Sequence, residues 1–590
     1  MGKGVCMART VSIGNQDFES IRRENYFYVD KTHFIKEWWE CGDSVTLINR
    51  PRRFGKTLNM NMLEKFFSVE YAGREDLFQG LCIWEEEKYR ALQGTYPVIM
   101  LSFAKVKETT YRNAQKKMCQ IIASVYNHFC YLLDREKLNE QEKEYFRKIS
   151  VDMEEYVATD VIGVLSEILF RYYGKKVIVL LDEYDTPMQE AYVNGYWEEM
   201  VSFTRSLFNA TFKTNPFLER ALMTGITRVS IASCEALESM FSDLNNLEVV
   251  TVTSEKYMDS FGFTEEVFAA LNEFELSGRK EEVKEWYDGF IFGSISDIYN
   301  PWSIINYLDK GKLGLYWINT SSNSLAGKLV REGSPELKMT MEKLLRGETF
   351  AIILDEQIVF SELEQGDEAV WSLLLASGYL KVVQHTFNAL LRKEEYELKL
   401  TNLEVQVMFE RLIEGWFGRC SHVNNAFLKA LLMGDLKAMN TYMNKVALQT
   451  FSYFDTGANA SEQEPERFYH GFVLGMMVEL ADKYVLTSNR ESGFGRYDVM
   501  LEPRQGAESL YTSGLEATAN NLERDAIIIE FKVQDSDTEA ELADTVQEAL
   551  NQIEKKQYEA VLQAKGIPSE RIRKYGFAFC GKRVLIGKAG

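Results

Sequence analysis

Proline is scarce, at nine residues in 590, and no tract is rich in serine, glycine and proline, so long disordered linkers are not expected. Histidine is scarcer still: five dispersed residues make a histidine-rich metal centre improbable. The eight cysteines run from Cys6 to Cys580 without one C-x-x-C, a spacing that suits neither a zinc site nor a disulfide framework and fits a reducing interior. Positive charge is in deficit, with 67 Lys and Arg against 88 Asp and Glu, a net charge of -21 and a pI near 5.0. That balance argues against a protein that coats nucleic acid, though it leaves room for a local basic cleft. No run approaches the roughly eighteen apolar residues of a membrane span. The opening stretch MGKGVCMARTVSIGNQDFES has no apolar core of a secretory signal. A soluble, cytoplasmic protein with no membrane partner is expected.

What is present is ordinary globular composition, 46% hydrophobic and 26% charged, over a length that suggests several domains. From about residue 40 to 250, short β-rich runs alternate with longer helical ones. SVTLINR (44–50), YPVIMLSFA (96–104), KKVIVLLDEYD (175–185) and RALMTGITR (220–228) are strand candidates. Nearly continuous apolar runs separated by helices predict an α/β unit with a parallel sheet covered on both faces, which the loop motif described below would make a P-loop NTPase-type sheet. Residues 1–254 are assigned to this unit. Residues 255–440 read as mostly helical. Within them, WSLLLASGYLKVV and EEYELKLTNLEVQVMFERLI spell helix, two short strands, helix: either a small winged-helix-like unit or a helical lid with a hairpin. Residues 441–590 read α-β-β-β-α-β, the last strand candidate being KYGFAFCGKRVLIG, and no internal repeat is visible.

One further absence is local. In NRPRRFGKT (49–57), the phosphate-loop pattern G-x-x-x-x-G-K-[ST] would place its first glycine at position 50, where this chain has Arg50. The context nevertheless fits: strand, tight loop, helix. A helix starting near Gly55 turns free N–H groups and its positive end toward phosphate oxygens. Lys56 would reach the terminal phosphates, and Thr57 would place its hydroxyl on Mg²⁺. VIVLLDEYD ends in Asp182 and Glu183, where Asp182 would hold Mg²⁺ and Glu183 would orient the attacking water. Thr224 and Arg228, at the end of another strand candidate, could sense a γ-phosphate; for Arg228 a surface arginine paired with an acid is the alternative. Arg52 and Arg53 are candidate phosphate or subunit contacts, and a solvated loop is the alternative.

A second constellation lies near the C-terminus. In AIIIEFKV, Glu530 and Lys532 are two residues apart on a strand and share a face. Asp498, in GRYDVMLEP, would converge on them from the preceding strand. Two carboxylates suit a hard cation such as Mg²⁺, and a neighbouring lysine can activate water or offset charge at a phosphodiester. Gln552, on the following helix, would complete the site. Glu466 is a further carboxylate candidate, and His470 reads as packed.

These segments, with YFYVDKTHFI, FGFTEEVF, WYDGF, YNPWSI, LLLASGYLKV, FYHGFVLG, SNRESGFGRYDVML and ALNQIEKKQY, resemble a bacterial and archaeal family. That family joins an AAA-ATPase-like domain to a C-terminal PD-(D/E)XK nuclease-superfamily domain of restriction-endonuclease-like fold, and the likeness covers nearly the whole chain. Its phosphate loop usually reads R-P-R-R-F-G-K-[ST], which makes Arg50 expected. The resemblance carries nucleotide contacts onto Gly55, Lys56 and Thr57, and Mg²⁺ and water roles onto Asp182 and Glu183. It carries the nuclease pattern onto Asp498, Glu530 and Lys532, with Gln552 and Glu466 beside them. One departure is the 22-residue segment RQGAESLYTSGLEATANNLERD between the two acid-bearing strands, long for a hairpin loop.

The expectation is therefore an ATP-binding, ATP-hydrolysing protein coupled to Mg²⁺-dependent cleavage of nucleic acid, DNA favoured over RNA, with a homo-oligomer left open. The rival is a nucleotide-controlled interaction module whose nuclease-like domain binds without cutting.

Overall fold

The computed structural model describes residues 9–589 except 135–137, 214, 228, 234–235, 240–243, 319–323, 333, 355–357, 360–365, 389–392, 419–420, 451–472, 474–476, 478–479, 481–482, 493–494, 505–524, 535–540 and 581–582. The chain divides into two compact units, residues 1–332 with 342–408, and residues 333–341 with 409–590. Among the described residues, no helix is long and apolar enough to cross a membrane.

The first unit is built on five strands: β1 (Val45–Asn49), β2 (Val98–Ser102), β3 (Val177–Asp182), β4 (Leu218–Gly225) and β5 (Leu247–Val250). All pair in parallel in the order β2-β3-β4-β1-β5. Every residue of β1 and β3 is buried, which is why both read as unbroken apolar runs rather than alternating ones. The edge strand β5 was not among the strand candidates; at four residues, three of them half-exposed, it gives little signal. The order has a direct consequence for chemistry. β4 lies between β1, which feeds the candidate phosphate loop, and β3, which ends at Asp182. The loop, the acid and the end of β4 therefore meet at one edge of the sheet, the usual crevice for ligands in open α/β sheets.

Helix α1 (His33–Cys41) precedes β1, α2 (Lys56–Phe67) follows the phosphate loop, and α3 (Thr186–Asn194) follows β3. The segment expected to be mostly helical carries helix α4 (Pro301–Lys310), whose N-terminus is capped by the Asn300 side chain on the amides of Trp302 and Ser303. It also holds a hairpin (Phe290–Phe292 with Ile295–Ile298). The predicted helix–strand–strand–helix stretch appears as Asp367–Ala376, Leu380–Asn388, Lys393–Leu400 and α5 (Leu403–Gly418), with Phe350–Ile353 adding a third antiparallel strand.

The second unit is a five-stranded mixed sheet: β6 (Tyr484–Ser492), β7 (Gly495–Pro503), β8 (Ala526–Val533), β9 (Ile572–Cys580) and β10 (Arg583–Lys588), in that order. Only β8 and β9 are parallel, and helix α6 (Leu542–Lys556) lies between them in sequence. The C-terminal stretch expected as one strand is two, β9 and β10, paired antiparallel. β8 is covered on both faces. Ile527, Ile529 and Phe531 pack with Phe427, Leu431, Met439 and Met443, whereas Ala526 and Ile528 pack with Val546, Leu550 and Ile553 of α6. Alternation along the strand thus assigns Glu530 to the α6 side. The expected first helix (465–484) falls largely outside the described residues.

Candidate active sites

At the sheet edge of the first unit, Gly55 takes φ +81°, a left-handed turn that a residue with a Cβ adopts only at a cost, and α2 starts immediately after it. Lys56 is buried. Its Nζ donates to the carbonyls of Arg50 (2.8 Å) and Pro51 (2.9 Å). Among the described residues no carboxylate pairs with it, so this cation is held by neutral dipoles of its own loop and is available to an anion. Burial lowers its pKa, while Glu183, Asp185 and Asp182 pull it back up.

Asp182, also buried, accepts hydrogen bonds from Thr57 Oγ1 (2.9 Å) and Thr224 Oγ1 (2.7 Å), with Ser102 Oγ at 3.4 Å. Burial raises its pKa, and the hydroxyl bonds, led by Thr224, oppose the rise. Glu183 is half-buried with φ +50°. Its carboxylate accepts from Thr186 Oγ1 at 3.2 Å, and its amide reaches Thr224 Oγ1 at 3.4 Å. Arg53 shares the left-handed conformation (φ +67°) and lies with its guanidinium 4.4 Å from the centre of the Trp302 ring. Two non-glycine residues at positive φ on either side of one cleft are the kind of strain that local structure must over-determine.

Arg50 does not face the cleft. It is fully buried, and its guanidinium donates to the carbonyls of Thr251, Asn49 (3.2 Å), Lys256 (3.3 Å) and Tyr257 (3.4 Å), with the Phe292 ring 4.5 Å away. Burial lowers its pKa to about 9, so it remains charged at neutral pH. The residue in the place of the pattern's first glycine is a bolt between the loop and residues 251–257. Phe54 adds an aromatic contact, edge-on to Phe290 and Phe292.

In the second unit, backbone pairing of β7 with β8 begins at Val499–Ile529. One residue earlier the strands part, and the Asp498 carboxylate fills the gap by accepting the Phe531 amide at 2.8 Å. Burial raises the Asp498 pKa to about 6; the Phe531 amide and then the Lys532 charge work against the rise. Glu530 is buried, and Gln552 of α6 donates to its Oε1 as well as to Tyr558 Oη (3.2 Å). Asp498, Glu530, Lys532 and Gln552 therefore meet where β7, β8 and α6 converge. Two acids supply oxygen donors of the kind a hard cation takes, and the lysine supplies a positive charge that acts on Asp498.

Residues 12–234 match the family model described as predicted AAA-ATPase, and residues 464–589 match that of the PD-(D/E)XK nuclease superfamily. The chain joins an AAA-ATPase-like domain to a PD-(D/E)XK nuclease-superfamily domain. It is also similar to an uncharacterized protein of the vnfD 5' region of Azotobacter chroococcum mcd 1, 28% identical over 404 residues, which is 68% of each chain.

Of the residues singled out from sequence, Arg228, Glu466 and His470 lie outside the described residues. The AAA-ATPase-like domain holds one important acid that motif reading passed over. Asp185 is buried, and its Oδ2 accepts from the amides of Ile226 (2.9 Å) and Thr227 (3.1 Å), from Thr227 Oγ1 (3.2 Å) and from Gln189 Nε2 (3.0 Å). Gln189 in turn accepts from Arg52 at 3.0 Å. This chain of bonds links the phosphate loop to the turn after β4. Its only trace in sequence is the last acid of DEYD. In the nuclease-superfamily domain the overlooked group is Tyr558, buried beside Gln552.

Proposed function

We propose that this protein binds and hydrolyses ATP in its first unit and cleaves nucleic acid phosphodiesters with Mg²⁺ in its second. The observation that carries the reading is the meeting of Lys56, Thr57, Asp182 and Thr224 at one sheet edge. There a buried cation, hydrogen-bonded among the described residues only to carbonyls, stands near a buried acid held by the hydroxyls of Thr57, Thr224 and Ser102. ATP supplies the anhydride, and Mg²⁺ offsets the charge on its phosphate oxygens. In this reading Lys56 leaves its loop carbonyls to meet the terminal phosphates, and the α2 N-terminus receives the others. Thr57 and Asp182 form the cation's side of the site. Glu183 orients water, and Thr224, bonded to both Asp182 and the Glu183 amide, registers the terminal phosphate.

In the second unit, Asp498 and Glu530 would hold the divalent cation, with Gln552 fixing the orientation of Glu530. Lys532 would offset charge developing at the phosphodiester and help deprotonate water. The bridging of Asp498 to the Phe531 amide supports this assignment, because it fixes the carboxylate where β7 and β8 part, beside Glu530 and Lys532.

The test is cleavage of labelled DNA and RNA by the full chain with Mg²⁺, with and without ATP, beside a phosphate-release assay. ATP-dependent cutting with phosphate release is the expected result. Phosphate release without cleavage of any substrate would favour a nucleotide-controlled binding module instead.

A further inference from the structure

Among residues that belong to neither site, α1 carries His33 and Glu37 one turn apart and therefore on one face. Asp259, from a distant segment, closes on the same point. One ligand atom from each of the three residues lies within 4.8 Å of the others. His33 Nε2 is 3.3 Å from Asp259 Oδ1. Four-coordinate zinc, with bonds of about 2.0 Å, sets its ligand atoms about 3.3 Å apart. The buried Ser260 hydroxyl sits 3.3 Å from that same nitrogen and donates to Glu37 Oε2 at 3.2 Å, holding ring and carboxylate in one orientation. The Cys82 thiol interacts with the same imidazole, so the ring is oriented by its surroundings as metal-binding histidines are.

All three residues are half-buried, so two carboxylates are gathered where water screens them only in part. A cation placed among them would relieve that crowding. One imidazole with two carboxylates is a donor set for a transition cation; Mg²⁺ prefers oxygen throughout and keeps most of its water. Cysteine spacing gave no sign of such a site because none of its three ligands is a thiolate.

We propose that His33, Glu37 and Asp259 form a binding site for a divalent transition-metal cation of the zinc class. The site has a structural consequence for the neighbouring phosphate loop. The Ser260 carbonyl accepts from Asn59 of α2 at 2.8 Å. Gly262, at φ +92°, lies so close to Phe54 and Ile298 that an added Cβ would come within 3.2 Å and 2.6 Å of them. A cation at Asp259 would thus anchor the segment on which α2 and Phe54 rest.

Calorimetric titration of the chelator-stripped full chain with zinc alone tests this. The arms are wild type, His33→Ala, Glu37→Gln, and a double variant Asp498→Asn with Glu530→Gln that removes the other cluster able to take the ion. Wild type and the double variant should share one zinc equivalent that His33→Ala lacks, with unchanged far-UV circular dichroism. Glu37→Gln, which keeps an oxygen for Ser260, should weaken that equivalent at least about tenfold. It also serves as the reading should His33→Ala fail to fold. Wild type that takes up no zinc, or equal stoichiometry and affinity in wild type and in the folded His33 and Glu37 variants, overturns the proposal.

Discussion

Thr57 Oγ1 donates to Asp182 Oδ2 at 2.9 Å, tying the first turn of α2 to the end of β3 across the intervening strand β4. The bond places a hydroxyl and a carboxylate side by side, and Lys56 stands one residue away with its ammonium on backbone carbonyls. If this is the nucleotide site, Lys56→Ala and Thr57→Val should each lower ATP turnover by about 100-fold or more, the scale on which transition-state charge stabilisation is lost. Phosphate release under saturating ATP measures it. Wild-type turnover by Lys56→Ala would move the site elsewhere.

Arg50→Gly restores the glycine of the general phosphate-loop pattern, and it should harm the protein. The substitution strips the partner from the carbonyls of Thr251, Lys256 and Tyr257 and empties a fully buried volume against Phe292. Unsatisfied buried acceptors and a cavity together should cost about 3 kcal/mol. Scanning calorimetry should show a lower transition temperature; one equal to or above wild type would refute the structural role given to Arg50.

Asp185→Asn is isosteric but replaces a carboxylate that serves four donors. An amide oxygen carries less negative charge, and its NH₂ cannot accept, so the turn holding Ile226 and Thr227 loosens. The loss should be about 2 kcal/mol of stability. ATP turnover should fall with KM for ATP changing less than kcat, because the turn follows Thr224 rather than the phosphate loop. Unchanged kcat with intact stability would show that the Arg52–Gln189–Asp185 chain does not support the site.

Glu404 gives a pH prediction of definite sign. It is buried, accepts from Ser303 Oγ and the Trp317 amide at 2.7 Å each, and burial raises its pKa from 4.5 to about 7. The folded protein therefore keeps this proton over a range in which the unfolded chain has lost it. The resulting stability is fully present below about pH 4.5 and falls by roughly 3 kcal/mol as pH rises to 7. Glu404→Gln retains an acceptor and cannot ionise, so it should flatten that part of the profile. Melting temperatures of both proteins at pH 5 and pH 8 provide the comparison; equal drops would remove Glu404 as the source.

Much of this was legible in sequence where chemistry is local. β1 and β3 announce themselves as apolar runs because both of their faces are covered; GKT opens the helix after one of them, and DE falls at the end of the other. β8 shows its acid and lysine by two-residue alternation. What stayed hidden depends on contacts distant in the chain. The partners of Arg50 at Thr251, Lys256 and Tyr257 lie 201 to 207 residues away, and no local pattern separates that bolt from a solvated loop arginine. Asp185 meets its amides 41 and 42 residues on, after an intervening strand. The division of the C-terminal stretch into β9 and β10 was missed because both halves are apolar, and Gly581-Lys582 is a weak turn signal.

The second unit is best tested by separating its two acids from its lysine. Asp498→Asn should abolish Mg²⁺-dependent cleavage by removing a charged oxygen donor, while the amide oxygen can still accept from Phe531 and hold the strands at their branch point. Lys532→Ala should abolish cleavage without weakening cation affinity, since its charge opposes the cation rather than binding it. Gln552→Ala, which frees Glu530 to rotate, should cost about tenfold. Cleavage of labelled DNA and RNA, with Mg²⁺ affinity from calorimetry, distinguishes the three. All of them should keep wild-type ATP turnover in the absence of nucleic acid. Cutting that survives Lys532→Ala would place the nuclease chemistry at other residues; loss of ATP turnover in every variant would mean that the substitutions had disturbed folding rather than catalysis.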